Sequence, residues 1–85
     1  SEYVMLAPGS YRVSGDMLLT ELQRELAFPA AATEHYHTVA GWLLEWLQRL
    51  PTIDEVIEYE GWQITVTDIR AHRIESVWLT RQPTE

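Results

Sequence analysis

What the sequence lacks excludes several kinds of site and partner. Cysteine is absent from all 85 residues, so the chain has neither a disulfide framework nor a thiolate metal site. Lysine is absent too, and six arginines stand against thirteen acidic residues, which gives a net charge of −7. This charge disfavours contact with nucleic acid or with an anionic membrane surface. No apolar run approaches the roughly 20 residues of a membrane span, and Ser1 opens neither a secretory signal nor a chain with an initiator methionine, so we expect a piece of a longer protein.

Glycine is scarce and never clustered, which excludes the glycine-rich motifs of phosphate binding and nucleophilic catalysis. The four glycines are isolated from one another, and no serine lies in a Gly-x-Ser-x-Gly elbow. The sequence therefore has no glycine-rich phosphate loop and no nucleophile motif. We predict that the chain is not an enzyme.

One stretch, Thr38–Leu50, has a clear helical period. Its polar residues fall on one arc of a helical wheel, and its apolar residues cover the wide opposite side. Thr38 is the expected N-cap because its hydroxyl can accept an unpaired backbone N–H. Pro51 is expected to end the helix, because the residue before a proline is pushed out of the helical region. An apolar face this wide predicts that the helix packs across a sheet and forms one side of the hydrophobic core.

The segment before this helix contains a predicted hairpin and a shorter helix. Tyr3–Leu6 and Tyr11–Ser14 flank a Pro-Gly turn and form two predicted strands, the alternative being an extended arm with one strand. Leu18–Leu26 has leucines at helical spacing, with Asp16 or Leu19 as its N-cap.

After Pro51 the apolar period changes to two, which is typical of strands. The predicted strands are Val56–Tyr59, Trp62–Thr67 and Ile74–Thr80. Glu60–Gly61 forms a tight turn whose glycine tolerates positive φ, and Arg70–Arg73 forms a second turn.

Ile74 is out of phase with the rest of the last strand. Its parity places it on the opposite face from Val77 and Leu79, so a β-bulge near Glu75–Ser76 is expected to correct the register. The element order β-β-α-α-β-β-β predicts a single α+β domain over residues 1–85, with two helices packed on one face of a mostly antiparallel sheet.

Two groups of residues are candidates for a metal site. His35 and His37, with Glu34 beside them, could offer imidazole ligands, but a zinc-type site needs two more, and Asp54 or His72 would have to arrive through the fold. Asp54 also opens an acidic run that could hold a hard cation. The alternative for both groups is an ordinary solvated surface.

Trp42 and Trp78 have no obvious place in the core. Trp42 lies at the edge of the apolar arc of the helix, and Trp78 points away from Val77 and Leu79. Either tryptophan can complete the rim of the core or form an exposed aromatic contact for a partner. Both interpretations stay open, and both residues are candidate interaction sites.

Six short motifs occur in the order and spacing of one known family. They are Gly9-Ser10-Tyr11-x-Val13-x-Gly15, Leu19-x-Glu21-Leu22, Tyr36-x-Thr38-Val39-Ala40-Gly41-Trp42-Leu43, Arg49-Leu50-Pro51, Glu58-Tyr59-x-Gly61-Trp62-x-Ile64-x-Val66 and Arg73-Ile74-x-x-Val77. The sequence thereby resembles the CorC/HlyC transporter-associated domain over Gly9–Arg81. It departs from the family pattern at Ala40, where the family has the first glycine of a Gly-Gly pair, and at two loops, Asp54 and Ala71–His72.

The resemblance implies a context for the domain. Such domains are similar to the C-terminal cytoplasmic module of bacterial membrane proteins that carry a transmembrane domain and paired CBS domains. The family is associated with magnesium and cobalt efflux and with hemolysin-like names. Its fold resembles part of a PCMH-type FAD-binding architecture, so FAD is a possible cofactor by resemblance alone, since no residue of this sequence carries a recognisable flavin motif.

Two functions are compatible with the resemblance. The first is a regulatory domain on the cytoplasmic side of the inner membrane, which modulates an ion transporter by docking on the CBS and transmembrane domains or by forming a homodimer. The second is a sensor that binds FAD, a nucleotide or a divalent cation. Neither implies direct membrane contact by this domain.

Overall fold

A computed structural model describes residues 3–83 and confirms the predicted element order. The seven elements are β1 (Tyr3–Ala7), β2 (Ser10–Ser14), α1 (Leu19–Leu26), α2 (Val39–Leu47), β3 (Val56–Tyr59), β4 (Trp62–Arg70) and β5 (Arg73–Arg81). The predicted N-terminal hairpin is confirmed, because β1 and β2 pair antiparallel. The chain thus has an α+β fold. No helix among residues 3–83 has the length and apolarity needed to cross a bilayer.

The five strands form one antiparallel sheet in the order β1-β2-β5-β4-β3. The pairing of β2 with β5 joins the two ends of the chain, with Val13 opposite Val77. The helical segment between β2 and β3 therefore crosses over a single face of the sheet. That face supplies the sheet half of the core, which is formed by Val13, Ile57, Trp62, Ile64, Val66, Ile74, Val77 and Leu79.

Alternation along β4 and β5 separates the core face from an open face, as the period of two predicted. Trp62, Ile64 and Val66 are buried on β4, while the intervening residues are half-buried. Because successive strand side chains point to opposite faces, the residues between the core positions face away from both helices. We call this helix-free side the open face of the sheet.

The predicted bulge is present, and a second irregularity accompanies it. Val66 pairs with Val77, Asp68 with Ser76, and Ile69 with Ile74. Thr67 is therefore an extra residue on β4, and Glu75 is an extra residue on β5. The second insertion returns Ile74 to the core face, where it is only 2% exposed.

Phe28 joins the helices to the sheet, a role that its position in a connector did not reveal. Its ring centroid lies 5.4 Å from that of Trp42 on α2 and 5.4 Å from that of Trp62 on β4, and both pairs meet edge to face. Its side chain is 1% exposed. Such perpendicular contacts add to the stabilisation from burial alone.

The helix ends differ from the predicted ones. α1 has Leu18 at its N-cap with no side-chain hydrogen bond, so neither Asp16 nor Leu19 is the cap. Instead, the Leu19 N–H donates to the His37 carbonyl at 2.8 Å, which ties the start of α1 to the segment before α2. The start is set by a tertiary contact that no local motif encodes.

Thr38 caps α2 as predicted, but Pro51 does not end it. The Thr38 hydroxyl accepts the Gly41 N–H at 3.1 Å. The helix stops at Leu47, because Gln48 adopts a left-handed conformation with φ of 59° and donates its N–H to the Leu44 carbonyl. The predicted end at Leu50 is therefore three residues too late.

α2 makes a close contact with Gly15, the residue directly after β2. The Ala40 N–H donates to the Gly15 carbonyl at 2.9 Å. A Cβ on Gly15 would lie 2.0 Å from the Ile74 carbonyl oxygen and 3.3 Å from the Ala40 Cβ. The methyl group of Ala40, where the family pattern has glycine, is accommodated because Gly15 has no side chain.

Both predicted turns of the final meander have left-handed residues. Glu60 and Gly61 have φ of 47° and 85°, which confirms the glycine at a positive-φ position. Ala71 and His72 have φ of 53° and 62° without any glycine. Two consecutive positive φ values match the twist of a two-residue hairpin, so β4 and β5 extend to this turn and are longer than predicted.

A carboxylate anchors the loop between α2 and β3. Nη1 and Nη2 of the Arg49 guanidinium each donate a hydrogen bond to one oxygen of the Glu55 carboxylate. The Thr52 N–H donates to the same carboxylate at 3.0 Å. The hydrogen bonds from Arg49 and Thr52 lower the pKa of Glu55 from its ordinary 4.5 to about 2.

This anchor predicts a pH-dependent contribution to stability. A carboxylate whose pKa is lower in the folded state stabilises the fold above its unfolded pKa and loses that effect as pH falls toward the folded pKa. We expect Glu55→Gln to lower the free energy of unfolding at pH 7, and the difference from the parent chain to shrink from about pH 4.5 down to about 2. Urea unfolding across this range measures it.

Glu58→Gln is the matched control, because Glu58 is exposed on neighbouring β3 and pairs with no side chain in residues 3–83. A deficit of the Glu55→Gln variant that stays constant down to pH 2 would contradict the anchor.

Candidate interaction surfaces

The residues proposed as metal ligands do not converge. His35 and His37 are exposed in the connector before α2, and His35 Nε2 lies 3.7 Å from Glu34 Oε1. Asp54 is exposed in the loop before β3, with φ of 71°. Within residues 3–83, no three His, Asp or Glu side chains gather into a group that could hold a metal ion. A metal role for His35, His37 or Asp54 therefore has only the sequence to support it.

Trp42 is a core residue, which corrects its interpretation as an exposed aromatic contact. Its side chain is 3% exposed. Its ring centroid lies 4.9 Å from that of Tyr59 on β3 and meets it edge to face, as it also meets Phe28. α2 is rotated about its axis so that Trp42 points at the sheet. The wide apolar arc is compatible with several such rotations, so the sequence did not specify this one.

Trp46, one turn later on α2, has the exposure that was one of the two alternatives for Trp42. It is 46% exposed although the helical wheel placed it with the core residues. Its ring stacks on Trp42 at 6.1 Å between centroids and contacts Tyr59 edge to face at 5.3 Å. A half-exposed ring that is already held by two aromatic neighbours loses little conformational freedom when a partner covers it.

Trp78 lies on the open face, as its parity predicted, and is 41% exposed. The registers place it in a row that crosses all five strands, made of Val4, Arg12, Trp78, Thr65 and Val56. The two ends of the row are exposed valines, at 60% for Val4 and 51% for Val56. The open face thus has an aromatic centre and apolar margins.

A groove of about 340 Å³ runs beside Trp78 on the open face. It is lined by Leu6, Arg12, Thr67, Asp68, Ser76 and Trp78. The Thr67 and Ser76 hydroxyls hydrogen-bond each other at 2.7 Å. The side chains of Arg12 and Asp68 make no hydrogen bond or ion pair within residues 3–83. The groove therefore presents a cation and an anion that are both available to a ligand or partner.

Sequence reasoning identified Trp78 but missed Trp46, Arg12 and Asp68. Arg12 and Asp68 are far apart in the sequence and line one groove only because β2 and β4 both flank β5. Trp46 carried a weak signal, since it lies near the C-terminal end of a helix whose apolar arc is wider than a sheet can cover.

The fold defines a small α+β domain with an exposed tryptophan on each of two surfaces. Comparison with known proteins identifies the family, because the CorC_HlyC family model, described as a transporter associated domain, matches residues 4–83. The chain belongs to this family, as the six sequence motifs predicted.

Relatives of known sequence and structure agree with this assignment. UPF0053 protein YegH of Escherichia coli (strain K12) is 32% identical over 71 residues, which are 84% of this chain and 14% of that protein. The chain therefore spans about a seventh of the length of this curated relative.

Solved structures of the same family share the fold. The transporter associated domain CorC_HlyC of a Xylella fastidiosa Temecula1 hemolysin, in complex with Mg²⁺ and Mn²⁺, is 29% identical with a TM-score of 0.82, covering 98% of this chain and 100% of that one. The transporter associated domain of a CBS domain protein from Porphyromonas gingivalis is 26% identical with a TM-score of 0.80, covering 98% and 100%. The likeness to part of a flavin-binding fold stays a prediction.

The different exposures of two neighbouring tryptophans lead to a test of their roles. We expect Trp42→Ala to lower the free energy of unfolding by about 3–5 kcal/mol, because it empties a buried aromatic site. Trp46→Ala should cost less than half as much, because its ring is already half exposed. Chemical denaturation of both variants measures the difference, and equal losses would contradict the assignment of Trp42 to the core and Trp46 to the surface.

Proposed function

We propose that this chain is a non-catalytic regulatory domain of a bacterial membrane ion transporter and acts by docking on other parts of that protein. The observation that carries the proposal is Trp46, a half-exposed tryptophan that two aromatic rings hold in place in a chain of the transporter associated family. Tryptophans of this kind dominate the energetics of protein interfaces.

The occupant of the Trp46 surface is the remainder of the transporter polypeptide. The E. coli relative is about seven times longer than the matched segment, so most of such a protein lies outside this domain. The P. gingivalis neighbour comes from a CBS domain protein, which favours a CBS module as the docking partner. This arrangement puts the domain on the cytoplasmic side of the inner membrane.

The transported species is a divalent cation in this proposal. The family resemblance supports efflux of Mg²⁺ or Co²⁺. Docking through Trp46 would couple the domain to the transport cycle by favouring one arrangement of the CBS and transmembrane parts.

Replacement of Trp46 in the full-length protein tests docking. We expect Trp46→Ser to change the rate of Co²⁺ or Mg²⁺ efflux from loaded cells by several-fold without loss of protein from the membrane, because the domain no longer biases the transporter. Leu18→Ser is the matched control, since Leu18 is likewise exposed, at 43%, but lies at the start of α1. Unchanged efflux in the Trp46→Ser variant, or an equal change in the control, would contradict the proposal.

A sensor function is the alternative, and one observation favours it. The Xylella fastidiosa domain, which covers the same fold end to end, was solved in complex with Mg²⁺ and Mn²⁺. In this chain, oxygen ligands for such an ion would have to come from dispersed carboxylates, such as Asp54, or from the groove that contains Asp68. The same groove is the place for a small organic ligand, with FAD and nucleotides as the family-level candidates.

A thermal-shift series separates the two functions. If the domain is a sensor, Mg²⁺, Mn²⁺, Co²⁺, FAD or ATP will raise its melting temperature in proportion to the logarithm of ligand concentration above the dissociation constant. Asp54→Asn and Asp68→Asn then identify the site by removing the shift. If the domain only docks, none of the five will shift the melting temperature, whereas a shift that keeps rising with the logarithm of ligand concentration would favour the sensor.

A further inference from the structure

The open face of the sheet has the features of an interface with a second copy of this chain. Both helices lie on the opposite side, so nothing in residues 3–83 covers Trp78 at its centre, which is 41% exposed. Two apolar residues of β1, Val4 and Leu6, continue the surface to the edge of the sheet and are 60% and 45% exposed. A face with an aromatic centre and apolar margins is typical of a surface that a partner covers.

The charges on this face decide which partner fits. Arg12 on β2 and Asp68 on β4 both line the groove beside Trp78, and neither forms an ion pair or a side-chain hydrogen bond within residues 3–83. They lie on opposite sides of β5, because Arg12 is opposite Trp78 and Asp68 is opposite Ser76. The groove thus holds one cation and one anion, on either side of a tryptophan.

This arrangement is self-complementary. In an interface with two-fold symmetry, every contact occurs twice. If one residue of the first copy contacts a second residue of the other copy, the same two residues also make contact with the copies exchanged. A symmetry axis that passes between Arg12 and Asp68 places Arg12 of each copy opposite Asp68 of the other and brings the two Trp78 rings together. We propose that two copies of this chain pair through the open face, with Trp78 at the centre and two reciprocal Arg12–Asp68 ion pairs around it.

The net charge of the chain makes this surface the favourable one for self-association. At −7, two copies repel each other over most of their surfaces. The groove is an exception, because its two charged side chains cancel. Pairing there sets two local attractions against the general repulsion.

The size of the face sets the expected strength. Five strands at about 4.8 Å spacing and about five residues per strand at 3.3 Å give a face of roughly 400 Å² per copy. Two copies would bury roughly 800 Å² in total, which is less than the about 1,200–2,000 Å² of stable specific interfaces, so we expect weak, reversible association and not an obligate dimer. If the proposed function holds, anchoring of two domains in one transporter would raise their effective concentration and make a weak interface sufficient.

Charge reversal gives the sharpest test of a reciprocal interface. Sedimentation velocity over micromolar to millimolar concentrations should show a monomer–dimer equilibrium for the unmodified chain. Arg12→Glu or Asp68→Lys alone should raise the dissociation constant about tenfold or more, because like charges then face each other in both halves of the interface. The double variant should restore dimerisation. Mixing the two single variants should produce a heterodimer that neither forms alone.

The controls carry the same charge changes elsewhere on the surface. Arg73→Glu at the tip of the β4–β5 hairpin and Asp16→Lys after β2 alter exposed residues outside the groove and should leave association unchanged. Trp78→Ser removes the centre of the interface without changing charge and should weaken pairing as well. Circular dichroism confirms that each variant folds.

The outcomes distinguish a second copy from other occupants. A chain that stays monomeric up to millimolar concentration overturns the proposal, as does a dimer that ignores Arg12→Glu and Trp78→Ser. A monomer whose binding to the rest of the transporter falls on Arg12→Glu would assign the open face to that polypeptide instead. The efflux experiment at Trp46 probes a different surface. The outcome for the open face therefore does not decide whether the domain docks through Trp46.

Discussion

The antiparallel pairing of β2 with β5 is the contact on which the rest of the structure depends. It places the N-terminal hairpin against the last strand, with Val13 opposite Val77, so the sheet is continuous from one end of the chain to the other. Both helices lie in the connection between β2 and β3 and can cover only one face of this sheet. The open face, with Trp78 at its centre, is the direct consequence, since a two-layer domain of this size has no third layer to cover it.

The aromatic cluster explains how so short a chain builds a core and why one tryptophan remains outside it. Phe28, Trp42 and Trp62 meet edge to face between the layers, and together with the leucines of both helices they exclude water. Trp46 follows Trp42 by one turn of α2 and is stacked on it, but no other element of the described residues 3–83 buries its outer side. The same stacking that stabilises the core therefore leaves a half-exposed aromatic ring that its neighbours hold in place.

The elements were predictable where a short-range period or a local capping group determines them. The alternation of Trp62, Ile64 and Val66, the cap at Thr38, the glycine turn at Gly61 and the bulge beside Ser76 all follow from neighbours in the sequence. Two helix ends were predicted wrongly. α1 begins at a residue held by the carbonyl of His37, and α2 ends at a left-handed Gln48 before Pro51 can act. Neither event has a local signal.

By itself, the sequence determined the α+β class, the order of the elements, the family and the direction of Trp78, because each depends on periodicity, turn residues or ordered motifs. Only the tertiary structure decided which of Trp42 and Trp46 is exposed, since a wide apolar helix face is compatible with several rotations about its axis. Only the tertiary structure, too, brought Arg12 and Asp68 to the two sides of Trp78. Their position in one groove depends on strand order. Strand order is a property of the folded sheet that no local stretch of sequence specifies.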